Sequence, residues 1–144
     1  MAGSAELAGR ARDVLSRVFG HADFRGEQAA VVGHVAGGGD ALVLMPTGAG
    51  KSLCYQLPAL LRDGVTIVVS PLIALMQDQV TALRDRGIRA AALNSSLEWS
   101  EVRDVHRALE RDELKLLYLA PERLMKPEVL DRPAQLRVGL IAID

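Results

Sequence analysis

The segment MPTGAGKS, residues 45–52, constrains the fold of this chain more than any other segment. It lies between the apolar run DALVLM and the apolar segment LCYQLPALL, so it is predicted to connect a strand to a helix. Gly48 and Gly50 allow the backbone to turn so that successive N–H groups point inward, and the positive end of the helix dipole adds to them. The segment is therefore predicted to bind phosphate groups.

The side chains of this loop have separate predicted roles. Lys51 supplies a positive charge for the outer phosphates of a nucleotide, and the Ser52 hydroxyl is a ligand for Mg²⁺. The alternative is a glycine-rich turn that binds nothing, and the agreement of strand, turn, lysine and helix argues against it. The predicted phosphate site consists of Thr47, Gly48, Ala49, Gly50, Lys51 and Ser52.

Short apolar runs alternate with helical patterns along the rest of the chain. After DALVLM, the runs of strand length are VTIVV, RAAAL, LKLLYL and VGLIAI. Nearly continuous apolar strands separated by helices are typical of a parallel sheet whose two faces are both covered. Before them, helices are predicted over residues 4–19 and 27–35. With 144 residues and 49% hydrophobic residues, the chain fits one α/β domain with a buried core.

Capping residues predict where two of the later helices begin. Ser70 and Pro71 read as an N-cap and a first-turn proline, and Ser95 with Glu98 reads as a capping box. Trp99 follows that box at helical spacing from other apolar residues, and we expect it to anchor its helix in the core.

Composition excludes several classes of protein. Lys and Arg number 17 against 18 Asp and Glu, and no basic block predicts nucleic-acid binding by charge alone. The longest apolar runs are strand-sized, so no membrane association is expected. The single cysteine, Cys54, is predicted to pack in the core and fits a reducing, cytoplasmic location. His21, His34 and His106 have no metal-ligand spacing.

Four segments together resemble the RecQ family of DNA helicases, in superfamily two. They are FGHADFRGEQ (19–28), the loop TGAGKS, VSPLIALMQDQV (69–80) with LNSS after it, and YLAPERL (118–124). The resemblance runs from about residue 14 to residue 144 with the motifs in the family's order. It implies a RecA-like nucleotide-binding domain.

The resemblance assigns further site residues. Gln28 and Arg25 would read the edge of adenine, and His21 would stack on the base where relatives often have Tyr. Residues after the strand ends would line the path of one DNA strand, holding phosphates with neutral donors. These predicted DNA-binding residues are Ser70, Pro71, Asn94, Ser95, Pro121 and Glu122.

The final run, LIAID, resembles the start of helicase motif II. Asp144 would position Mg²⁺ and act with Lys51 in catalysis, and the glutamate that activates water would come next. The resemblance thus implies a first RecA-like domain over residues 1–144, with N-terminal helices over 1–36 and the α/β core over 41–144. It would be truncated at the motif II strand and would lack a second RecA-like domain and accessory domains. Such a chain is expected to be inactive alone and to expose Leu42, Leu44, Ile141 and Ile143.

The function implied by the resemblance is ATP-dependent separation of DNA strands, with 3′ to 5′ polarity as the family's property. ATP and Mg²⁺ would be the cofactors, and single strands and duplex junctions of DNA the partners. One alternative is a nucleotide-binding remnant or regulator without helicase activity. Another is a DEAD-box-like RNA helicase, which FRGEQ and APERL argue against.

Overall fold

The computed structural model of the protein describes residues 3–46, 50–124 and 137–144. The chain divides into two compact units, one ending at Arg62 and the other spanning Asp63–Asp144. The predicted boundary between residues 36 and 41 is a different division and remains a prediction. No helix in the described ranges is long and apolar enough to cross a membrane.

The first unit contains three helices, which are α1 (Ser4–Arg17), α2 (Gln28–Ala36) and α3 (Leu53–Leu61). The two predicted N-terminal helices are therefore confirmed to within two residues. Gly20 follows α1 with φ of 72°, a conformation that glycine adopts without strain. All three helices contribute side chains to the buried core, among them Ala11, Leu15, Val32, Val35 and Leu57.

The strand predicted for DALVLM is wrong. Residues 41–46 form no strand, and the side chains of Leu42 and Leu44 are 90% and 89% exposed. A strand obtains its backbone hydrogen bonds from a neighbouring strand, and no strand among the described residues pairs with this segment. Apolar composition alone therefore did not make it part of a sheet.

The second unit is built on a parallel sheet, as predicted. The sheet has four strands in the order β2-β3-β1-β4, and every neighbouring pair is parallel. The elements of this unit, in chain order, are β1 (Val65–Val69), α4 (Ile73–Asp85), β2 (Ala90–Leu93), α5 (Trp99–Glu110), β3 (Leu116–Leu119), α6 (Pro121–Leu124) and β4 (Val138–Ile143). The alternation of strands and helices confirms the α/β class.

Burial follows the position of each strand in the sheet. Strands β1, β2 and β3 are buried along their whole length, which explains their nearly continuous apolar sequences. On one face, alternate strand residues form a cluster with Val102 of α5, and Val105 and Leu109 of the same helix pack against it. Strand β4 lies at the edge, where Ile141 and Ile143 are 62% and 85% exposed. The expected exposure of these two residues is confirmed.

The predicted starts of two helices need correction. Helix α4 begins at Ile73, and the Ser70 hydroxyl accepts a hydrogen bond from the Leu72 N–H, 3.3 Å away, in a turn before the helix. In α5 the N-cap is Glu98 and not Ser95, and the Glu101 carboxylate accepts from the Glu98 N–H at 3.2 Å. Trp99 is 74% exposed, so its predicted role in the core is wrong.

Candidate functional site

A tight turn closed by Gln28 forms the centre of the predicted adenine motif. The Gln28 N–H donates to the Arg25 carbonyl over 3.0 Å, and the Gln28 side-chain oxygen accepts from the Arg25 N–H over 2.8 Å. Between them, Gly26 has φ of 52°, which lets the backbone reverse. The Gln28 side chain is only 4% exposed, so this turn has a fixed geometry.

The same carboxamide also reaches the phosphate loop. Its nitrogen, Nε2, donates to the carbonyl oxygen of Gly50 at 3.2 Å. The Arg25 N–H can only donate and the Gly50 carbonyl can only accept, so these two partners determine which end of the amide is oxygen. Gln28 therefore joins the turn that is predicted to read the base to the last glycine of the predicted phosphate site, 22 residues away.

Gly50 is required at its position for two reasons. Its φ of 78° lies in the left-handed region that side chains disfavour. A Cβ atom at this position would also lie 2.5 Å from Nε2 of Gln28. The glycine thus permits both the loop conformation and the contact with Gln28.

The loop leads directly into helix α3. The Cys54 N–H donates to the Lys51 carbonyl at 3.0 Å, and the Gln56 N–H donates to the Ser52 carbonyl at 2.9 Å. The Lys51 side chain is exposed and Ser52 is partly buried at the helix start. Thr47, Gly48 and Ala49, which were predicted to complete the loop, lie outside the described residues.

The two other residues of the predicted base site lie on the surface of this unit. His21 and Arg25 are both exposed, and the His21 N–H donates to the carbonyl of Leu15 at the end of α1 over 3.1 Å. Phe19, the first residue of the motif, is 6% exposed and belongs to the core. The motif therefore combines a buried aromatic ring with an exposed turn.

Cys54 follows the loop on α3 and is buried, as predicted. Burial raises the pKa of its thiol, because a thiolate in this position would lose its hydration. The residue is a packing side chain and not a reactive group of the site.

In the second unit, the predicted DNA-binding residues follow the carboxyl ends of neighbouring parallel strands. The backbone ladder continues one residue past three of these strands: Ser70 N–H donates to Leu119 O at 3.0 Å, and Asp144 N–H donates to Val69 O at 2.9 Å. Ala120 N–H likewise donates to the carbonyl of Leu93 at 3.1 Å. The strand ends are therefore level and form one edge, about 15 Å long for four strands spaced about 4.8 Å apart.

Asn94 holds the loop that follows β2. Its side chain is 1% exposed, its oxygen accepts from the Ser96 N–H at 2.9 Å and from the Ser96 hydroxyl, and its nitrogen contacts the Met76 sulfur. The neighbouring Ser95 is exposed at the tip of the turn. Within this loop, Asn94 thus sets the backbone shape and Ser95 faces solvent.

The remaining predicted residues occupy the same edge. Ser70 is 8% exposed and holds the turn before α4, while Pro71 is exposed. Pro121 and Glu122 start the short helix α6 directly after β3 and are both exposed. Asp144 follows β4, and its side chain is exposed.

Comparison with known proteins identifies the family of this chain. A profile of the DEAD/DEAH box helicase family matches residues 25–144. The chain belongs to the DEAD/DEAH box helicase family. The matched range includes Gln28, the phosphate loop and the whole edge of strand ends that terminates with Asp144.

Individual relatives of this helicase chain carry RecQ names. It is 47% identical over 134 residues to ATP-dependent DNA helicase RecQ of Pasteurella multocida, covering 93% of this chain and 21% of that protein. For the RecQ proteins of Haemophilus influenzae and Synechocystis sp. the identities are 48% and 46%, covering 93% and 92% of this chain and 22% and 28% of those proteins. The chain thus spans about a quarter of the length of these relatives, and the predicted resemblance to RecQ helicases is confirmed.

The sequence alone did not predict two features of this candidate site. It predicted Gln28 only as a base reader and not as the hydrogen-bond donor to Gly50. It also predicted Asn94 as a phosphate contact and not as the buried side chain that shapes its loop. The LNSS pattern contained a signal for the second, because Asn commonly accepts a hydrogen bond from the N–H two residues later.

Proposed function

We propose that this chain is the ATP-binding and part of the DNA-binding surface of an ATP-dependent DNA helicase of the RecQ type. The observation that carries the proposal is the carboxamide of Gln28, which contacts both Arg25 and Gly50. A single buried side chain thus joins the segment that resembles an adenine-reading motif to the segment that is predicted to bind phosphate. An ATP site needs these two functions side by side.

Adenine recognition by Gln28 follows from its chemistry. A carboxamide offers a donor and an acceptor, and the adenine edge presents N6 as a donor and N7 as an acceptor. Guanine presents two acceptors on the corresponding edge, so a fixed amide discriminates between the two bases. The exposed Arg25 and His21 flank this turn, where a guanidinium and an imidazole can pack on a base.

Phosphate and Mg²⁺ would be held by residues after Gly50. Lys51 is exposed at the start of α3, where the helix N-terminus already favours anions. The resemblance implies that the Ser52 hydroxyl and the Asp144 carboxylate, which is exposed, would each supply an oxygen ligand of the kind that Mg²⁺ prefers. When bound, Mg²⁺ would neutralise charge on the nucleotide phosphates.

The edge of strand ends in the second unit is the proposed DNA path. Its exposed turn at Ser95 presents a hydroxyl in place of a basic cluster, and Pro71 and Pro121, which have no N–H, would only border the path. Backbone N–H groups and hydroxyls commonly position DNA phosphates. This mode of contact agrees with the formal net charge of −1.

The activity of a whole protein containing this chain is also part of the proposal. ATP hydrolysis would be coupled to 3′ to 5′ movement on DNA, and a second RecA-like domain would supply the remaining catalytic groups. Single strands and duplex junctions would be the substrates. The single cysteine supports a reducing, cytoplasmic location.

The test compares nucleotide and DNA binding by the 144-residue chain. A fluorescent ADP analogue bound in the presence of Mg²⁺ should be displaced by ATP at least about tenfold more readily than by GTP, which is the effect of about 1.4 kcal/mol. A labelled single-stranded oligonucleotide should bind in parallel. Absence of ATP binding would overturn the proposal, and ATP binding without any DNA binding would favour a nucleotide-binding regulator.

The strand-separating activity needs a separate assay. A protein carrying this chain followed by a second RecA-like domain should unwind a duplex with a 3′ single-stranded tail and not one with a 5′ tail. Unwinding that requires RNA would instead favour the RNA-helicase alternative.

A further inference from the structure

A row of exposed side chains runs along helix α5. Trp99, Arg103 and Arg107 are spaced four residues apart, which places them on neighbouring turns of one side of the helix, about 6 Å apart along the axis. All three are exposed, and the indole of Trp99 is 74% exposed. We call these three residues the Trp-Arg row.

The two arginines of the row lie away from the core of its unit, and Trp99 lies beside the buried face of the helix. Helix α5 packs through Val102, Val105 and Leu109, with Val102 in the central cluster of the sheet. At about 100° per residue, the side chains of the row lie roughly 60°, 100° and 140° around the helix from Val102, in chain order. Burial of the helix therefore requires none of the three side chains, and the row is available to a ligand.

Helix stability does not explain the charge of Arg103. Arg103 has Trp99 and Ser100 one turn before it and His106 and Arg107 one turn after it, so no acid occupies a pairing position. Two arginines four residues apart also repel each other and destabilise a helix.

Arg107 differs from Arg103 in its neighbours. It has Asp104 and Glu110 three residues away on either side, yet within the described ranges neither arginine forms an ion pair. The pair of guanidinium groups is thus available to an anion.

The row begins where the proposed DNA path ends. Helix α5 follows directly on the loop of Asn94 and Ser95, at the carboxyl edge of the sheet. Trp99 is therefore five residues from Asn94, whose side chain fixes the shape of that loop. Because α5 runs from the carboxyl end of β2 back to the start of β3, Trp99 on its first turn lies nearer to this edge than the two arginines do.

We propose that the Trp-Arg row is a binding site for single-stranded DNA, in which a base stacks on Trp99 and Arg103 and Arg107 contact phosphates. Exposed bases of a single strand stack on aromatic side chains, whereas the bases of a duplex are already stacked on one another. The inference rests on the proposed function, because it extends the DNA path of the same chain.

The indole itself reports on the site. Trp99 is the only tryptophan among the 144 residues, so the tryptophan fluorescence of the chain, excited selectively over that of its two tyrosines, comes from this position. Titration with an oligothymidine should quench that fluorescence as the base stacks, and a duplex of equal length should quench it less. Binding of oligothymidine without any change in fluorescence would contradict stacking on Trp99.

Substitutions test the contribution of each group, with binding followed by the anisotropy of a labelled oligothymidine. Trp99→Ala should weaken binding by roughly 5- to 150-fold, since stacking on one aromatic ring contributes about 1–3 kcal/mol. Trp99→Phe should retain most of the affinity. Position 99 is exposed in both comparisons, and circular dichroism checks that the two variants are folded.

Salt dependence tests the arginines. Arg103→Ala should reduce the slope of log affinity against log salt concentration by about 0.7, the value for one phosphate contact on a single strand. The matched control is Arg10→Ala, which removes an exposed arginine from helix α1 in the other unit and should change neither affinity nor slope.

The outcomes separate this inference from the proposed function. Wild-type affinity and salt slope in both Trp99→Ala and Arg103→Ala would overturn the row while leaving DNA binding by the sheet edge intact. Failure of the unsubstituted chain to bind oligothymidine at all would overturn the row and the proposed DNA path together. Loss of ATP binding with DNA binding preserved would contradict only the nucleotide part of the proposed function.

Discussion

Replacement of Gln28 should separate base recognition from the shape of the phosphate loop. Gln28→Ala removes the hydrogen bonds to the Arg25 N–H and to the Gly50 carbonyl, at 2.8 and 3.2 Å. Gln28→Glu preserves the acceptor for Arg25 but places an oxygen opposite the Gly50 carbonyl, where two acceptors repel. Both variants should therefore lose the donor to the loop, and only the alanine variant should also open the turn.

The expected magnitudes follow from the number of bonds lost. Two hydrogen bonds between Gln28 and adenine would contribute about 1–3 kcal/mol, so Gln28→Ala should weaken ATP binding by roughly 5- to 150-fold. GTP makes no such base contacts and should lose only the effect transmitted through Gly50. That effect corresponds to one bond, or at most about 13-fold.

The assay is displacement of a fluorescent ADP analogue by ATP and by GTP, with the unsubstituted chain measured in parallel. The quantity of interest is the ratio of the two affinities, which should fall towards 1 in both variants. Equal losses of affinity for ATP and GTP, with their ratio unchanged, would contradict base recognition by Gln28. Gln28 would then act on the loop alone and not on the base.

Three further predictions follow from the same structure. Gly50→Ala should abolish measurable nucleotide binding, because φ of 78° strains an alanine and its Cβ would meet the Gln28 amide. Calorimetry with ATP measures this binding, and normal ATP binding by the variant would contradict the prediction. Cys54 should react slowly with a thiol reagent at pH 8 in the native chain and at least about tenfold faster in denaturant, because burial raises the pKa of its thiol; equal rates would contradict its burial. Backbone amides of residues 41–46 should exchange hydrogen faster than those of residues 65–69, as measured by mass spectrometry, since only the second segment is paired in the sheet; equal protection would contradict the assignment.

The parallel sheet was predictable because its cause is local. VTIVV and LKLLYL are short, nearly continuous apolar runs, and strands of this kind occur where both faces of a sheet are buried. Gly87 likewise ends α4 at φ of 81°, as its position after the apolar stripe predicted. In these elements, burial and backbone preference agree.

The failed predictions have nonlocal causes. DALVLM has the composition of a strand but has no partner strand among the described residues. Trp99 lies three residues before Val102, which suggested a shared apolar stripe, but the observed stripe uses Val102, Val105 and Leu109. The indole is thus at the margin of the buried face, where packing of the whole helix decides its exposure.

In the candidate site, too, local patterns could be predicted from the sequence and long-range contacts could not. The phosphate loop and the base-reading segment are each predicted from consecutive residues, and both assignments remain predictions. The contact of Gln28 with Gly50 joins residues 22 positions apart, and no local pattern specifies it. Sequence therefore predicted the parts of the site, and only the tertiary structure shows how two of them are joined.

The most direct test measures how Lys51→Ala changes the affinity of this chain for ATP and its affinity for single-stranded DNA. Lys51 is exposed at the start of α3, so its replacement should leave the fold unchanged, as circular dichroism can check. We expect the variant to lose ATP binding and to keep an affinity for single-stranded DNA within about twofold of that of the unsubstituted chain, because nucleotide and DNA would contact different loops. Undiminished ATP binding in the folded variant would contradict the proposed phosphate site, and a parallel loss of DNA affinity would contradict the separation of the two surfaces.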